Sequence, residues 1–522
     1  MKNKTFLLGF LVVGVTYWLT HLWGLLSLPV FADEAIYIRW AQLIIDDWRQ
    51  YLFFPLNDGK TPLFMWLLVP FQFIFSNQLY AARFVSVSIG FFQVLAVGIL
   101  LRKLNASRGA SLFGALLVTI LPFWFFHHRM ALTESLLGLT LTISLIGVVQ
   151  TVMADPSERD TYLSSSEAKG LLLLVLGFFS ALLTKIPAVL VIPALFIPVF
   201  YLVNPEKNTK KLIIRKAIII ALGIIGSFLF FATQSIHPAF SQLFSRGGDF
   251  LYSSAEVING RFFDNVLRVP RYFSFFYWYL SVPVLILLLI GLFTKSVQKS
   301  VHIFFWSGVL YCLPIIIMGK VVHPRYFFPA VLFFTVAAAF SFQGIIAQLE
   351  AVRVRFMVKF SLVLLFAVLL SSIAIHSLSF ILPSATSPGE IPFVTEDAYQ
   401  YLEGWSAGYG TAELVSVLKE KTKNTRVAVA TEGSFGSLPD GILLYQHGLD
   451  VKNVYVEGVG FPSTQFPDFF VERAKDFDEV WYVANEDRVS LSVAEFPELY
   501  RFCRPHAAPC LVVWNVTDQI TP

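Results

Sequence analysis

Charged residues are scarce in this chain. They make up only 14% of its 522 residues, whereas about 25% is usual for a soluble globular protein. The formal net charge is +4 at pH 7, and no exposed basic domain of the kind that binds nucleic acid is visible. The composition therefore excludes an ordinary soluble enzyme and gives no reason to expect a nucleic-acid partner.

Cysteine is also rare, at three residues. Cys312 lies in an apolar run and is expected to be an inert packing residue. Cys503 and Cys510 lie close together near the C-terminal end. They could pair in an oxidising compartment, although their spacing alone does not establish a disulfide.

Apolar residues are abundant. The chain is 56% hydrophobic, and its mean hydropathy is +0.67. Because a membrane-spanning helix needs about 20 apolar residues, we expect a polytopic α-helical membrane protein with about eleven transmembrane helices. The predicted spans lie near residues 5–29, 79–101, 108–126, 132–153, 169–183, 185–203, 217–236, 273–293, 302–318, 326–348 and 360–382.

Two apolar runs need a separate interpretation. The first, 5–29, is interpreted as a retained span and not as a signal peptide, because it is long and has no clear small-residue cleavage site. The run 62–76 is broken by Pro62 and Pro70 and is short for a span. It is predicted to be an interfacial or re-entrant helix on the outer side.

The distribution of basic residues predicts the orientation. With the N-terminus inside, the short outer connections hold only Arg129, Lys185, Lys320 and Arg325. The inner connections hold Lys2, Lys4, Arg102, Lys103, Arg108, Arg159, Lys169, Lys207, Lys210, Lys211, Arg215, Lys216, Lys295, Lys299, Arg353, Arg355 and Lys359. By the positive-inside rule the N-terminus is cytoplasmic. Eleven spans then place the C-terminal region outside the plasma or cytoplasmic membrane.

The chain changes character after Pro383. A linker-like stretch is followed by alternating polar and apolar segments, which predict a membrane module over 1–382, including an outer loop at 30–78, and an extracytoplasmic α/β domain over 383–522. A helix near 409–422 and a mostly parallel sheet are expected. The predicted strands are 425–431, 451–457, 478–484 and 510–516. Glycines at 404–410 follow no strand, so they indicate turns and not a dinucleotide site.

The first outer loop carries an acidic pair, Asp33 and Glu34, directly after the first span. Charge beside a membrane is costly unless it is paired or used. Further polar candidates lie in the outer turns, and the bundle could gather them in one cavity. They are Lys60, His128, Arg129, Glu134, Lys185, His323, Arg325 and Tyr326. A carboxylate can take a proton from a hydroxyl, and Lys or Arg can hold a phosphate.

Simpler explanations exist for several of these residues. Arg and Lys near span ends commonly extend to the interface, and we favour this or local pairing for Arg39, Arg83 and Lys320 taken singly. His127 and His128 are more typical of interfacial residues than of metal ligands.

Six short motifs occur in a characteristic order: DEAIY, GKTPLFMW, ARFVSV, RMALTE, LLTKIPA and HPRYFFP. Together, over about residues 1–350, they resemble the GT-C glycosyltransferases. The similarity is to the branch of protein O-mannosyltransferases and lipid A aminoarabinose transferases. The resemblance implies inverting sugar transfer from a polyprenyl-phosphate donor on the extracytoplasmic face, to a hydroxyl of a protein, lipid or glycan.

The resemblance also implies roles for individual residues. Asp33 matches the catalytic base, and Glu34 matches the companion acid that supports the site or the acceptor. Lys60 matches a lysine at the donor phosphate, and Arg325 with Tyr326 matches a phosphate-binding pair. Arg129 and Glu134 match the basic and the acidic position of the family's second outer loop. Lys185, from the residues alone, is a further phosphate candidate; His128 and His323 are further cavity candidates.

The chain departs from the family pattern in places. The second outer acid is Glu134 where aspartate is frequent, and the lysine motif reads KTPL. The C-terminal α/β region is not part of the shared core. Some members of the wider superfamily need a divalent cation such as Mg²⁺ or Mn²⁺, but the sequence has no clear ligand cluster.

Two other classes of protein remain open. A polytopic lipid or sugar transporter, or a flippase, would place charges near the membrane midplane and show inverted repeats. A non-catalytic anchor for the C-terminal domain would leave the outer charges without a role. The gathering of charges at one face favours the glycosyltransferase, with membrane lipid, a polyprenyl-phosphate sugar and a hydroxyl acceptor as partners.

Overall fold

The computed structural model describes residues 3–154, 163–203, 209–245, 247–351, 356–447, 453–493 and 495–520. Some positions used in the sequence predictions lie outside the described residues. They are the start of the strand at 451–457 and the basic residues Lys2, Arg159, Lys207, Arg353 and Arg355.

Helices form most of the structure. The longer ones are α1 (Asn3–Leu22), α2 (Ala32–Asp46), α3 (Leu63–Gln72), α4 (Gln78–Lys103), α5 (Arg108–Ile120), α6 (Pro122–Arg129), α7 (Thr133–Met153), α8 (Ser165–Thr184), α9 (Ile192–Leu202), α10 (Thr209–Ala232), α11 (Val269–Leu280), α12 (Val282–Phe293), α13 (Gln298–Met318), α14 (Phe328–Ala351), α15 (Phe356–Thr386), α16 (Thr411–Lys421), α17 (Asp440–Gln446) and α18 (Asp468–Ala474). Shorter helical turns include Trp48–Tyr51, Phe54–Asp58, Ile186–Val191, Thr233–Ile236, Pro324–Phe327 and Thr395–Ala398.

The chain is an integral membrane protein with several spans. Among the described residues, eight helices are long and apolar enough to cross a membrane. The number rises to ten if the bent pairs α5–α6 and α11–α12 each form one span. The prediction of eleven differs by the run 185–203, which forms a 3-10 turn followed by α9 and is shorter than the other spans. The helix predicted at 62–76 is short in the structure too, as α3.

Backbone contacts group the chain into two compact units. Unit 1 comprises residues 1–23, 53–64 and 86–382, and unit 2 comprises residues 24–52, 65–85 and 383–522. The sequence had assigned the segments at 24–52 and 65–85 to the membrane module. In the structure they pack with the C-terminal residues instead, so unit 2 contains the acidic pair.

In unit 1, α7 and α8 pack with their backbones in direct contact. An added Cβ at Gly147 would lie 2.5 Å from the backbone nitrogen of Leu174, and one at Gly177 would lie 2.7 Å from that of Ser144. Small residues allow such close approach, and membrane helices use them where the hydrophobic effect does not drive association. The pair α7–α8 is therefore specified by its glycines.

A buried ion cluster joins the C-terminal end of α7 and the N-terminal end of α8 to α10. The Glu167 carboxylate caps α8 through the Ser164 backbone, 3.0 Å away, and accepts from Arg215 and Lys216. Lys216 also donates to the Thr151 carbonyl at 2.7 Å and is fully buried. The sequence had placed Lys216 in an inner connection. That placement was wrong, because α10 begins several residues earlier and Glu167 compensates the buried charge.

Unit 2 contains a five-stranded sheet in the order β2-β1-β3-β5-β4. Its strands are β1 (Val427–Thr431), β2 (Val454–Gly458), β3 (Glu479–Asn485), β4 (Glu498–Phe502) and β5 (Leu511–Asn515). Strands β1, β2 and β3 are parallel, whereas β5 runs antiparallel to β3 and β4 antiparallel to β5.

The sheet buries both of its faces. Ala428, Val480 and Tyr482 pack on one side with α18, while Val429 and Trp481 pack on the other with α16 and α17. The four predicted strands are confirmed. The edge strand β4 was missed, because its exposed residues conceal the apolar alternation. A disulfide between Cys503 and Cys510 links β4 to the start of β5.

The contact between α7 and α8 gives a first prediction. Gly147→Ala should lower the free energy of unfolding by about 1–3 kcal/mol, because its methyl group would overlap backbone that has little room to move. Gly109→Ala is the matched control, since its Cβ would meet only ordinary contacts at 3.9 Å or more. Thermal unfolding of the purified protein in detergent measures both; an unchanged Tm for Gly147→Ala would contradict the close contact.

Candidate active site

Asp33 lies in the first turn of α2 in unit 2 and is half-buried. A carboxylate in the first helical turn interacts favourably with the partial positive charge of the helix N-terminus. The preceding residue, Phe31, caps α2 with extended backbone, and its N–H donates to the Glu34 carboxylate at 3.0 Å. Local geometry therefore fixes the turn that carries Asp33.

Arg83 binds both carboxylate oxygens of Glu34. Arg83 Nε lies 2.9 Å from one Glu34 oxygen and Nη2 lies 2.7 Å from the other. Both side chains are almost completely buried, with 0% of Glu34 and 1% of Arg83 exposed. A bidentate pair of this kind has a fixed geometry as well as charge complementarity.

The remaining guanidinium donors of Arg83 bind backbone carbonyls in the connection between α1 and α2. They donate to Leu25 at 2.9 Å, to Leu28 at 2.8 Å and to Pro29 at 2.8 Å. All five N–H groups of the guanidinium are therefore used. Sequence reasoning favoured snorkelling or local pairing for Arg83. The structure shows a buried arginine paired with a residue 49 positions away.

The residues before Asp33 are tied to the C-terminal part of unit 2. Phe31 forms an antiparallel bridge with Ala407, and the Ala32 N–H donates to the Ser406 carbonyl at 2.9 Å. The Gly408 N–H donates to the Val30 carbonyl at 2.9 Å. The glycine-rich segment 404–410 thus makes turns and backbone contacts; Gly410 has a φ of 85°, in the left-handed region that glycine adopts readily.

The far end of α2 is anchored as well. Gln42 donates to the Leu444 carbonyl at 2.9 Å, and Asp46 lies 2.8 Å from His447. Both partners lie in or directly after α17. The helix that carries Asp33 is therefore fixed along its whole length to the α/β part of unit 2. The sequence offered no local signal for these contacts, which join residues about 400 positions apart.

A second set of predicted residues meets in unit 1. Lys185 Nζ lies 2.6 Å from Glu134, which is 1% exposed, and 5.5 Å from the Tyr326 ring centroid. Arg325 and His127 also interact electrostatically with Glu134. These residues come from three connections that are distant in sequence. We call this set, Glu134, Lys185, Arg325 and Tyr326, the cationic cluster.

Other predicted residues of unit 1 have different surroundings. Arg129 is 6% exposed and lies 4.9 Å from the Phe125 ring centroid, with the Thr20 carbonyl 3.4 Å away. His323 contacts the Tyr326 ring edge to face at 5.5 Å between centroids. Lys60 lies 3.6 Å from Asp58 and is partly exposed.

His128 is fully buried among aromatic side chains, 5.5 Å from Trp124 and 6.0 Å from Tyr17 between ring centroids. Across the part of the chain that the structure describes, neither of its ring nitrogens has a hydrogen-bond partner. These same residues contain no group of three or more His, Cys, Asp or Glu side chains that could hold a metal ion. No residue is therefore assigned to Mg²⁺ or Mn²⁺.

Known proteins resemble this chain in sequence over part of its length and in fold over all of it. Residues 55–244 match the family model for dolichyl-phosphate-mannose-protein mannosyltransferase. ArnT from Cupriavidus metallidurans superposes over 100% of both chains with a TM-score of 0.56 and 12% identity in its apo state. The same enzyme bound to undecaprenyl phosphate gives a TM-score of 0.56 and 13% identity, again over 100% of both chains.

The chain has the GT-C membrane fold, and part of it, residues 55–244, matches the mannosyltransferase family model. The archaeal oligosaccharyltransferase AglB from Archaeoglobus fulgidus also has this fold. It aligns with 93% of this chain and 70% of its own, at 11% identity and a TM-score of 0.56. No curated protein matches this chain by sequence.

The Glu34–Arg83 pair gives the prediction for this site. In a double-mutant cycle, Glu34→Gln and Arg83→Met should show a coupling energy of about 2 kcal/mol or more, because each buried group depends on the other. The half-exposed pair Asp58 and Lys60 is the control, for which about 1 kcal/mol or less is expected. Urea unfolding of the purified variants supplies the free energies; additive losses at Glu34 and Arg83 would contradict the pairing.

Proposed function

We propose that this protein is a membrane glycosyltransferase that moves a sugar from a polyprenyl-phosphate donor to a hydroxyl acceptor on the extracytoplasmic face of the membrane. The observation that carries the proposal is the cationic cluster, in which Lys185, Arg325 and Tyr326 surround the buried Glu134. Buried charges within a membrane protein are costly and mark functional sites. Support also comes from solved structures of the same fold, since ArnT binds undecaprenyl phosphate and AglB was solved with a dolichol-phosphate.

In the proposed reaction, the acceptor oxygen attacks the anomeric carbon from the face opposite the phosphate. The bond between that carbon and the phosphate oxygen breaks, and the configuration inverts. The acceptor proton passes to the Asp33 carboxylate. The bonding electrons stay on the leaving polyprenyl phosphate, whose growing charge Lys185 and Arg325 stabilise, with Lys60 and Arg129 as further phosphate ligands.

Asp33 and Glu34 take different parts in this proposal. Glu34 uses both carboxylate oxygens to hold Arg83 and the Phe31 N–H, so it positions the turn. Asp33, which is half-buried on the same turn, is the base. The sugar is mannose or another hexose or pentose, and the acceptor is a protein, lipid or glycan hydroxyl.

Asp33→Asn tests the base directly. Because asparagine keeps the shape but accepts no proton, transfer should fall by about 10²–10⁴-fold while thermal stability is unchanged. Asp46→Asn, at the other end of α2, keeps an oxygen that can accept from His447, so the helix stays anchored and transfer should match the wild type. Mass spectrometry of products formed from a panel of polyprenyl-phosphate sugars and acceptors provides the measurement. Near-normal turnover by Asp33→Asn would reject Asp33 as the base.

The proposed orientation places the N-terminus inside the cell and unit 2's sheet outside. The disulfide between Cys503 and Cys510 supports an oxidising compartment for that sheet. If both bent pairs are spans, the count is ten, and the proposal then needs Ile186–Leu202 as an eleventh crossing to place the sheet outside. Its six 3-10 and eleven α-helical residues extend about 28 Å, close to the roughly 30 Å hydrocarbon thickness.

Reporter fusions test this orientation. Alkaline phosphatase fused after Thr184 should be active, whereas a fusion after Lys216 should be inactive, because the two positions flank the short segment. Green fluorescent protein fused at the same positions should give the reverse pattern. Active alkaline phosphatase at both positions would place the C-terminal domain in the cytoplasm and refute the orientation.

A further inference from the structure

In the sheet of unit 2, the order in which the chain adds strands reverses direction next to β1. From β1 the chain passes to β2 on one side and then to β3 on the other, so β1 and β3 are neighbours whose following connections diverge. In open α/β sheets the crevice beyond the carboxyl ends of such strands is where ligands bind. The residues at this point are Glu432, directly after β1, and Asn485, the last residue of β3.

Buried polar side chains converge on this crevice. Glu432 is 3% exposed; its carboxylate accepts from the Asn485 amide and, at 3.0 Å, from Arg488 Nε. Burial raises the pKa of Glu432, although Asn485 and Arg488 act in the opposite direction. Burial of a carboxylate is costly because it removes water from the charged form. A carboxylate that remains buried despite this cost is typical of a binding or catalytic site.

Aromatic rings lie beside the polar group. The Arg488 guanidinium carbon is 4.6 Å from the Trp405 ring centroid and 3.9 Å from that of Phe461. Phe461 is still 43% exposed, and Phe435, in the loop after β1, is 56% exposed. Exposed aromatic residues close to polar side chains are typical of a recognition surface.

The loops that carry these rings are firmly held. Gly433 and Gly460 exchange two backbone hydrogen bonds, at 3.1 Å and 3.0 Å, which join the loops after β1 and β2. Both glycines have positive φ, 74° and 89°. The Ser437 hydroxyl donates to the Trp405 carbonyl at 2.6 Å. The surface is thus built in advance of any ligand.

The crevice adjoins the turn that carries Asp33. An added Cβ at Gly436 would lie 3.3 Å from the Trp405 ring and 3.7 Å from the Ala32 side chain. The Ala32 N–H also donates to Ser406, the neighbour of Trp405. The loop after β1 is therefore in contact with the residue directly before Asp33, within the same unit.

We propose that this crevice, formed by Trp405, Glu432, Phe435, Phe461, Asn485 and Arg488, binds the acceptor and that the acceptor is a saccharide. This rests on the proposed function. A sugar ring has one apolar C–H face, which stacks on an aromatic ring, and hydroxyl groups around its edge, which pair with carboxylate, amide and guanidinium groups. An extended peptide would instead pair with an exposed strand edge such as β2 or β4.

Kinetics of exposed aromatic variants test the site. Phe461→Ala and Phe435→Ala should raise KM for a saccharide acceptor about tenfold while KM for the polyprenyl-phosphate donor stays at the wild-type value. Phe469→Ala, whose side chain is equally exposed on α18, should change neither constant. The Tm of each variant must match the wild type. Unchanged acceptor KM in both variants would overturn the proposal.

Acceptor choice and direct binding complete the test. Wild-type enzyme is given a mixture of short linear oligosaccharides or a library of Ser- and Thr-containing peptides, and products are identified by mass spectrometry. Transfer to peptides alone would overturn the saccharide assignment. If no donor is turned over, the proposed function fails. Saturation-transfer NMR with the oligosaccharides then decides the site: binding that Phe461→Ala abolishes supports it, and no binding to the wild type overturns it.

Discussion

The ion pair between Glu34 and Arg83 is the interaction on which the proposed active site depends. A buried pair is not in itself strong evidence of stability, because desolvation of both charges offsets their attraction. Here the pair matters because it fixes the geometry of the turn that carries Asp33. Five guanidinium donors close the connection from Leu25 to Pro29 onto α2, and the Glu34 carboxylate caps the same helix. Asp33 is thereby held on a turn with little freedom to move, which a general base requires.

The same turn joins the segment after α1 to the C-terminal residues of unit 2. Backbone pairing of 30–32 with 406–408 and the contacts of α2 with α17 make one compact unit from segments that begin and end the chain. A domain appended to the membrane core would need none of these contacts. These contacts fix both ends of α2, the helix that carries Asp33, to the C-terminal residues of unit 2.

In unit 1, each of two buried glutamates is surrounded by more than one basic side chain. The cationic cluster balances Glu134 against Lys185 and Arg325, whereas a second cluster balances Glu167 against Arg215 and Lys216. In each case more positive than negative charge is gathered around one buried acid. At Glu167 the acid also caps α8, so that cluster has a clear structural role. At Glu134 the partners are side chains, with Lys185 2.6 Å away.

The sequence by itself determined the features that depend on local pattern: the apolar spans, four of the five strands, and the polar turns that carry Asp33, Lys185 and Arg325. The tertiary structure alone decided which residues meet. Arg83 looked like an interfacial residue because its partner lies 49 positions away. Lys216 looked like a loop residue because the groups that compensate its burial, among them Glu167 and the Thr151 carbonyl, are distant in sequence. Helix rotation and long-range packing set such pairings, and neither leaves a periodic signal in the residues themselves.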